Sequence, residues 1–250
     1  MARMSRAGFG LVLVAWLVVP VGCGRREQPS PPPPSAQAEV DTLVAANAAQ
    51  LEEWVSEWRL AAPEFELNLL EKNGPGPFTL LDIVGYNPRD PRERERRLRY
   101  GIFAPDSTRF IDPDVYRAIG IGPGGAPTIE RDANSAPRLV DLATHSATRL
   151  LDCGTACGNS DAFWIDRLRF VLIGWSEADT LGNIRAELRF YDLGNGMFTT
   201  FYSPQVTPDA FARYLAASDS AVLRRDAMRA QGRPHAGLEV PHGTHRALAS

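Results

Sequence analysis

The spacing of apolar residues predicts that the middle of the chain is built of β-strands. Residues 169–175 form an apolar run, and between Arg185 and Phe190 charged and apolar side chains alternate with the period of a half-buried strand. The turn residues at 194–196 lead into another apolar and β-branched run at 197–202. With the segment that begins at 161, the pattern predicts four antiparallel strands in a row, a β-meander.

Helical periodicity predicts helices before and after the strands in the sequence. Apolar residues from Val40 to Trp58 recur every three or four positions, which predicts an N-terminal amphipathic helix ending before Pro63. Its other face carries Glu52, Glu53 and Glu57, and acids have the wrong sign for anionic lipid. We therefore predict that this helix packs on the protein's own sheet.

The C-terminal part predicts further helices and then a tail. Thr207 and Pro208 occupy the N-cap and first position of a helix whose apolar stripe reaches Leu223, and Ser218-Asp-Ser220 is expected to divide it into two helices. Residues 231–250 lack a periodic apolar pattern, which predicts a disordered tail.

The segment from 99 to 151 contains a looser copy of the meander. Phe110 corresponds to Phe170, and Val140-Asp-Leu142 corresponds to Tyr191-Asp-Leu193. These residues resemble the repeats of TolB-like and WD-type β-propellers, and the resemblance implies propeller-blade-like units over about 100 residues. A closed propeller has about 4–8 blades and only two are visible in this sequence.

The resulting prediction is an α+β fold that is mainly β. We expect an open antiparallel sheet of about six to eight strands, not a closed propeller, with the N-terminal and C-terminal helices packed against it. A fragmentary propeller completed by another chain is the alternative.

The start of the chain has the pattern of an export signal. Arg3 and Arg6 precede an apolar run at 9–19, which is shorter than the ~20 residues that a membrane-spanning helix needs. Cys23 follows a small residue at the end of this run and resembles the lipobox cysteine of bacterial lipoproteins. The resemblance implies cleavage after a signal peptide at 1–22 and acylation (palmitate) of Cys23. Pro20 stands where that motif usually has Leu, so ordinary cleavage without lipidation stays open.

The lipoprotein resemblance also implies a location and a domain order. Gly24 follows the cysteine, and the family pattern then favours the outer membrane, with the protein facing the periplasm. Residues 23–38 include four consecutive prolines and predict an extended linker between the lipid anchor and a single globular domain at 39–230.

Composition and cysteine usage agree with a protein outside the cytosol. A formal net charge of −3, which becomes more negative without the basic leader, argues against broad nucleic-acid binding. Cys153 and Cys157 can form a short disulfide in an oxidising compartment. A metal or redox site is the alternative, although only His145 lies nearby as a further ligand.

Four short motifs suggest chemistry and have simpler interpretations. Gly120 to Gly125 fits a dinucleotide-binding string, but no helical pattern follows, so an inter-strand loop is predicted. The stretch from Gly174 to Ala178 is similar to a nucleophile elbow but lacks its final glycine and the following helix. The charged stretch at 88–99 predicts a solvated loop or strand edge, with a phosphate or headgroup site as the alternative. The tail contains three histidines, His235, His242 and His245, that could bind a transition metal. A mobile tail would have to fold around the metal, so weak adventitious binding is the simpler interpretation.

The acidic pair Asp161 and Asp166 is the remaining candidate for catalysis. The two acids flank Phe163 and Trp164, an arrangement that sugar-binding sites and glycosidases use. In a meander, however, aromatic residues usually fill the core and aspartates close turns. We therefore assign no catalytic residue, metal ligand or cofactor from the sequence.

The leading functional hypothesis is a membrane-tethered, non-enzymatic envelope module. It would bind or support an envelope protein or a cell-wall component. A hydrolase acting on envelope glycans or peptides through Asp161 and Asp166, and a ligand sensor working through residues 120–136, are the alternatives.

Overall fold

A computed structural model describes residues 41–78, 81–131, 134–151 and 154–231. The chain divides into two units, 1–36 and 37–250, and every described residue belongs to the second. The leader, Cys23, the proline-rich linker, Cys153 and the tail from 232 onward therefore lie outside the described residues, and the predictions made for them stay predictions.

The described residues form mainly β-strands. The helices are α1 (Thr42–Ala45), α2 (Ala48–Trp58), α3 (Pro91–Tyr100) and α4 (Pro208–Ala230). Its strands are β1 (Glu71–Pro77), β2 (Leu81–Gly85), β3 (Ile102–Phe103), β4 (Arg109–Asp112), β5 (Ala118–Ile121), β6 (Pro127–Glu130), β7 (Arg138–Asp141), β8 (Ser146–Arg149), β9 (Cys157–Trp164), β10 (Arg169–Glu177), β11 (Ile184–Asp192) and β12 (Met197–Val206).

The strands form two five-stranded antiparallel sheets and one hairpin. Sheet 1 has the order β1-β12-β11-β10-β9, sheet 2 has the order β2-β8-β7-β4-β3, and β5 pairs with β6. The α+β class with mainly antiparallel strands is thus confirmed, and neither sheet closes on itself within the described residues. The single open sheet of six to eight strands is corrected to two smaller sheets.

Sheet 1 lies between helices α2 and α4 on one face and sheet 2 on the other. Alternate side chains of β10 point to opposite faces, as the strand period requires. Val171 and Ile173 pack with α2 and α4, whereas Phe170 and Leu172 pack with residues of sheet 2 such as Ile111. The helical side is centred on a group of stacked rings, in which Trp58 and Tyr214 have ring centroids 4.1 Å apart.

The residues matched between the two sequence copies occupy equivalent registers. Phe110 of β4 lies opposite Val140 of β7, and Phe170 of β10 lies opposite Tyr191 of β11. In sheet 1, β9 to β12 follow one another as a meander, and in sheet 2 the strands β3, β4, β7 and β8 are arranged in the same order, with the β5–β6 hairpin inserted between β4 and β7. An earlier strand, β1 or β2, is added beside the last strand of each set.

The charged face of β11 differs from the half-buried strand that the alternation predicted. Glu187 and Arg189 are 2% and 9% exposed, because this face of sheet 1 is covered. Their side chains form an ion pair at 2.5 Å. The alternation correctly indicates a strand, but the inference that its polar side faces solvent was wrong at these positions.

Residues 91–100 form a helix, so the loop or strand edge predicted for 88–99 is wrong. Asp90 caps the helix by accepting a hydrogen bond from the amide of Arg92 at 2.8 Å, and Pro91 occupies the first turn. Arg96 then binds both carboxylate oxygens of Asp112, at 2.9 and 3.0 Å. The helix is held by ion pairs instead of an apolar stripe, which explains why periodicity missed it.

The C-terminal segment is one helix, and the predicted break at 218–220 is wrong. Ser218 is buried, and the hydroxyl of Ser220 donates a hydrogen bond to the carbonyl of Ala216 at 2.8 Å. Since a serine hydroxyl can be satisfied by the carbonyl one turn earlier, these residues do not end a helix that is packed on a core. Among the described helices, none combines the length and apolar character that crossing a bilayer requires.

Candidate functional site

A cleft of about 620 Å³ is bordered by α2, α4 and the free edge of β9. We call it the cleft. Its charged and polar lining includes Gln50, Glu53, Arg99, Arg117, Asp161 and Arg225.

The local sequence explains why polar groups of α2 border the cleft. Leu51, Trp54 and Trp58 form the buried stripe of α2, so Gln50 and Glu53 lie outside that stripe. On the strand side, β9 has a neighbour in sheet 1 on one side only, because it is the last strand of that sheet. The cleft therefore runs along a sheet edge.

Side chains cover part of this edge. The guanidinium of Arg117 donates a hydrogen bond to the carbonyl of Ser160 at 2.7 Å, and the carboxylate of Asp161 accepts one from the amide of Ala162 at 2.8 Å. These side chains occupy backbone hydrogen-bonding groups of β9 that an additional strand would need in order to pair with it. The edge is therefore better suited to side-chain recognition than to extension of the sheet by another chain.

The carboxylates of the cleft are largely paired with arginines. Arg225 contacts Asp161 at 3.1 Å and Glu53 at 3.3 Å, and Arg99 contacts Asp226 at 3.1 Å. Burial alone would lower the pKa of Arg225, but the neighbouring carboxylates raise it above its ordinary value. Arg225 thus holds α4 against both α2 and β9.

A small recess of about 40 Å³ adjoins the cleft and shares Gln50, Glu53, Asp161 and Arg225 with it, among other residues. Its own lining includes Trp54, Glu57, Ser160 and Ser218. The hydroxyl of Ser160 donates to the carbonyl of Ile173 at 3.3 Å and accepts from the hydroxyl of Tyr214 at 3.1 Å. We call this cavity the recess.

Glu57 is the unusual group in the recess. The residue is 8% exposed, and its carboxyl group forms no hydrogen bond or ion pair with the described residues. Burial raises the pKa of Glu57 from 4.5 to about 7; Arg225 opposes this rise, while Glu53 and Asp161 add to it. The recess therefore contains a carboxyl group that changes charge near neutral pH.

Sequence reasoning placed Glu57 on the solvent face of α2, and that placement was wrong. The residue lies three positions after Trp54 and one before Trp58, at the flank of the apolar stripe, and α4 covers this flank. Its position next to two core tryptophans was the signal that could have found it.

The structure does not bring Asp161 and Asp166 together. Asp161 lies at the cleft, whereas Asp166 closes the turn between β9 and β10 by accepting hydrogen bonds from the amides of Leu168 and Arg169, both at 2.8 Å. The carboxylate of Asp166 is bound to its own turn and to Arg169, and the carboxylate of Asp161 is bound to Arg225, so the two acids have separate partners and do not form a pair.

The two glycine motifs are parts of strands and their turns. Residues 123–125 form the turn of the hairpin with β6, but Gly120 and Ile121 belong to β5, so the inter-strand loop predicted for 120–125 is shorter than expected. Gly174 lies inside β10, where a Cβ atom would be 2.1 Å from the carbonyl oxygen of Gly158. Close approach of two strands thus explains this glycine, and the elbow geometry of a hydrolase is not formed there.

The predicted cysteine and histidine sites fall mostly outside the described residues. Cys157 is described and buried, whereas Cys153, His235, His242 and His245 are not described, so the disulfide stays a prediction. The described side chains include no group of three or more potential metal ligands.

Comparisons of the chain with protein-family models, with curated proteins and with solved structures gave no match.

Proposed function

We propose that this chain is a lipid-anchored module of the cell envelope, without enzymatic activity, that binds a ligand in the cleft. The ligand would be an envelope protein or a cell-wall component. The cleft is the observation that carries the binding part of this proposal, because ligand sites are concave and combine apolar walls with a few placed polar groups.

The tethering part is supported by the order of segments at the N-terminus. A basic and apolar leader precedes Cys23, and a proline-rich segment then separates this cysteine from the first described residue, Asp41. Acylation of Cys23 would hold the domain near a membrane, and the extended segment would let the cleft reach its ligand.

The charges of the cleft favour binding over catalysis. Asp161 and Glu53 share Arg225, and Asp226 pairs with Arg99, so these carboxylates already have cationic partners. A carboxylate held by an arginine is a weaker base and nucleophile than a free one. Paired charges of this kind give a rigid, polar wall that can recognise a ligand.

The two sheets also agree with the blade-like units implied by the propeller resemblance. We interpret β9 to β12 as one unit and β3, β4, β7 and β8 as the other, since both sets have the same antiparallel strand order and equivalent registers at Phe170 and Phe110, although the β5–β6 hairpin interrupts the second set. Two such units form a compact support for the cleft without closing a ring.

Photo-crosslinking in the native cells tests this function. A photoreactive amino acid at Gln50 samples the cleft, and the same amino acid at Leu181, which is 80% exposed and does not line the cleft, is the control. We expect Gln50 to give a discrete adduct with an envelope molecule and Leu181 to give none. The same pattern from both positions, or no adduct from either, would contradict the proposal.

A further inference from the structure

The recess next to the cleft has the size and the chemical groups of a site for one small cation. Its volume of about 40 Å³ is close to the ~30 Å³ that one water molecule occupies in the liquid. Glu57, Ser160 and Ser218 line it, together with Trp54 and Ile173. A group that fills this space must be compact.

The charge balance of the recess leaves Glu57 without a partner. Arg225 already contacts Glu53 and Asp161. Arg224 is 63% exposed and contacts Glu53 at 3.5 Å, so it is directed to the same carboxylate. Once Glu57 is ionised, three carboxylates stand against the two charges of Arg224 and Arg225, which leaves one negative charge unbalanced.

Glu57 also lies where a ligand in the cleft can contact it. It is more than nine-tenths buried, it lines the recess, and the recess adjoins the much larger cleft. An ionised carboxylate that is largely removed from water and has no ion-pair partner is costly unless a cation pairs with it. A ligand that lies in the cleft and places a cationic group in the recess would do so.

We propose that the recess binds the primary ammonium group of a lysine-type side chain, carried by a peptide that lies in the cleft. This inference rests on the proposed function of the cleft as the ligand site. An ammonium group is a compact charge with three donors, whereas a guanidinium is a larger planar fork. The methylene groups of the side chain would lie along Ile173 and Trp54, as the stems of such side chains do on apolar surfaces.

Proton release accompanies this binding. Burial raises the pKa of Glu57 to about 7, Arg225 and Arg224 lower it, and Glu53 and Asp161 raise it further. Tyr214, which also faces Glu57, stays protonated because burial raises its pKa to about 12. An ammonium group binds the ionised form of Glu57, so the apparent affinity follows the ionised fraction and rises about tenfold between about pH 6 and about pH 8.

Calorimetry with the purified full-length protein in detergent tests the inference. The probe is the tripeptide acetyl-Ala-Lys-Ala-amide, and the control is the same peptide with norleucine, which keeps the side-chain length and lacks the ammonium group. We expect the lysine peptide to bind at least about tenfold more tightly at about pH 8, the difference expected for one charge-assisted hydrogen bond.

Two variants assign the effect to the recess. Glu57→Gln is expected to weaken lysine-peptide binding about tenfold and to remove its pH dependence. Glu64→Gln, at an exposed position that does not line the cleft, is expected to bind like the wild type. Retention of the pH-dependent lysine preference in the Glu57 variant would overturn the inference.

The remaining outcomes separate this inference from the proposed function. Equal binding of the lysine and norleucine peptides, or binding to phosphatidylethanolamine vesicles but not to the peptide, would overturn the lysine assignment. If the Gln50 crosslink still forms in either case, the cleft remains the ligand site and only the identity of the bound group is wrong. Absence of both the crosslink and peptide binding would reject the two together.

Discussion

Replacing Glu57 by glutamine is expected to stabilise the protein above neutral pH. The folded protein holds this carboxyl in a small recess, where burial raises its pKa from 4.5 to about 7. Between these two values the unfolded chain ionises Glu57 while the folded chain keeps it protonated, so the free energy of unfolding falls as the pH rises. Glutamine resembles the neutral acid and does not incur this penalty.

The magnitude follows from the difference between the two pKa values. One pKa unit corresponds to about 1.4 kcal/mol, so a rise from 4.5 to about 7 amounts to about 3 kcal/mol at high pH. Solvent in the recess screens part of this penalty. We therefore expect the Glu57→Gln protein to be more stable by about 2 kcal/mol at about pH 8, and by less than about 1 kcal/mol at about pH 5.

Urea unfolding of both proteins at these two pH values measures the effect. Glu64→Gln, at an exposed position, is the matched control and is expected to change stability by less than about 0.5 kcal/mol at either pH. If Glu57→Gln were no more stable than the wild type at about pH 8, or if the gain were the same at both pH values, the reasoning about the recess would be refuted.

Three further substitutions and treatments test the fold. Trp58→Ala removes a fully buried ring and is expected to cost about 3–5 kcal/mol in urea unfolding, whereas Leu181→Ala, at an 80% exposed position, should cost less than about 0.5 kcal/mol. Asp112→Asn leaves Arg96 without its carboxylate partner, while Arg138 keeps its ion pair with Glu93, and the change is expected to cost about 3 kcal/mol with little dependence on salt; a negligible loss would contradict the described network. Cys153 and Cys157 are expected to resist alkylation until a reductant is added, and immediate labelling would exclude their pairing.

The local pattern of the sequence predicts much of the C-terminal sheet. Alternation along β11 and the turns around it suffice to indicate β9 to β12, because hairpin strands are neighbours in sequence. The same information does not show that β1 pairs with β12, or that β2 pairs with β8, since these partners are far apart in the chain. β1 also contains Pro75 and Pro77, which are tolerated because it is an edge strand.

The candidate site was less predictable because it depends on packing between distant segments. Asp161 was recognised as an acid near aromatic residues, but its neighbours in the cleft come from α2 and α4. Glu57, Ser160 and Ser218 lie more than 50 residues apart in sequence, and no local pattern indicates that they meet. The ion pairs of α3 were missed for the same reason, since Arg96 reaches its partner Asp112 across a turn and two strands.

The most direct test of the account is the chemical state of the N-terminus in the native cells. Mass spectrometry of the mature protein, after labelling with a fatty-acid analogue, identifies the first residue and its acylation. We expect the chain to begin at an acylated Cys23 and to sediment with membranes, and we expect Cys23→Ser to abolish the label and the sedimentation. An unlabelled protein in the soluble cytosolic fraction that still begins at Met1 or Ala2 would contradict the claim that it is an envelope-tethered binding module.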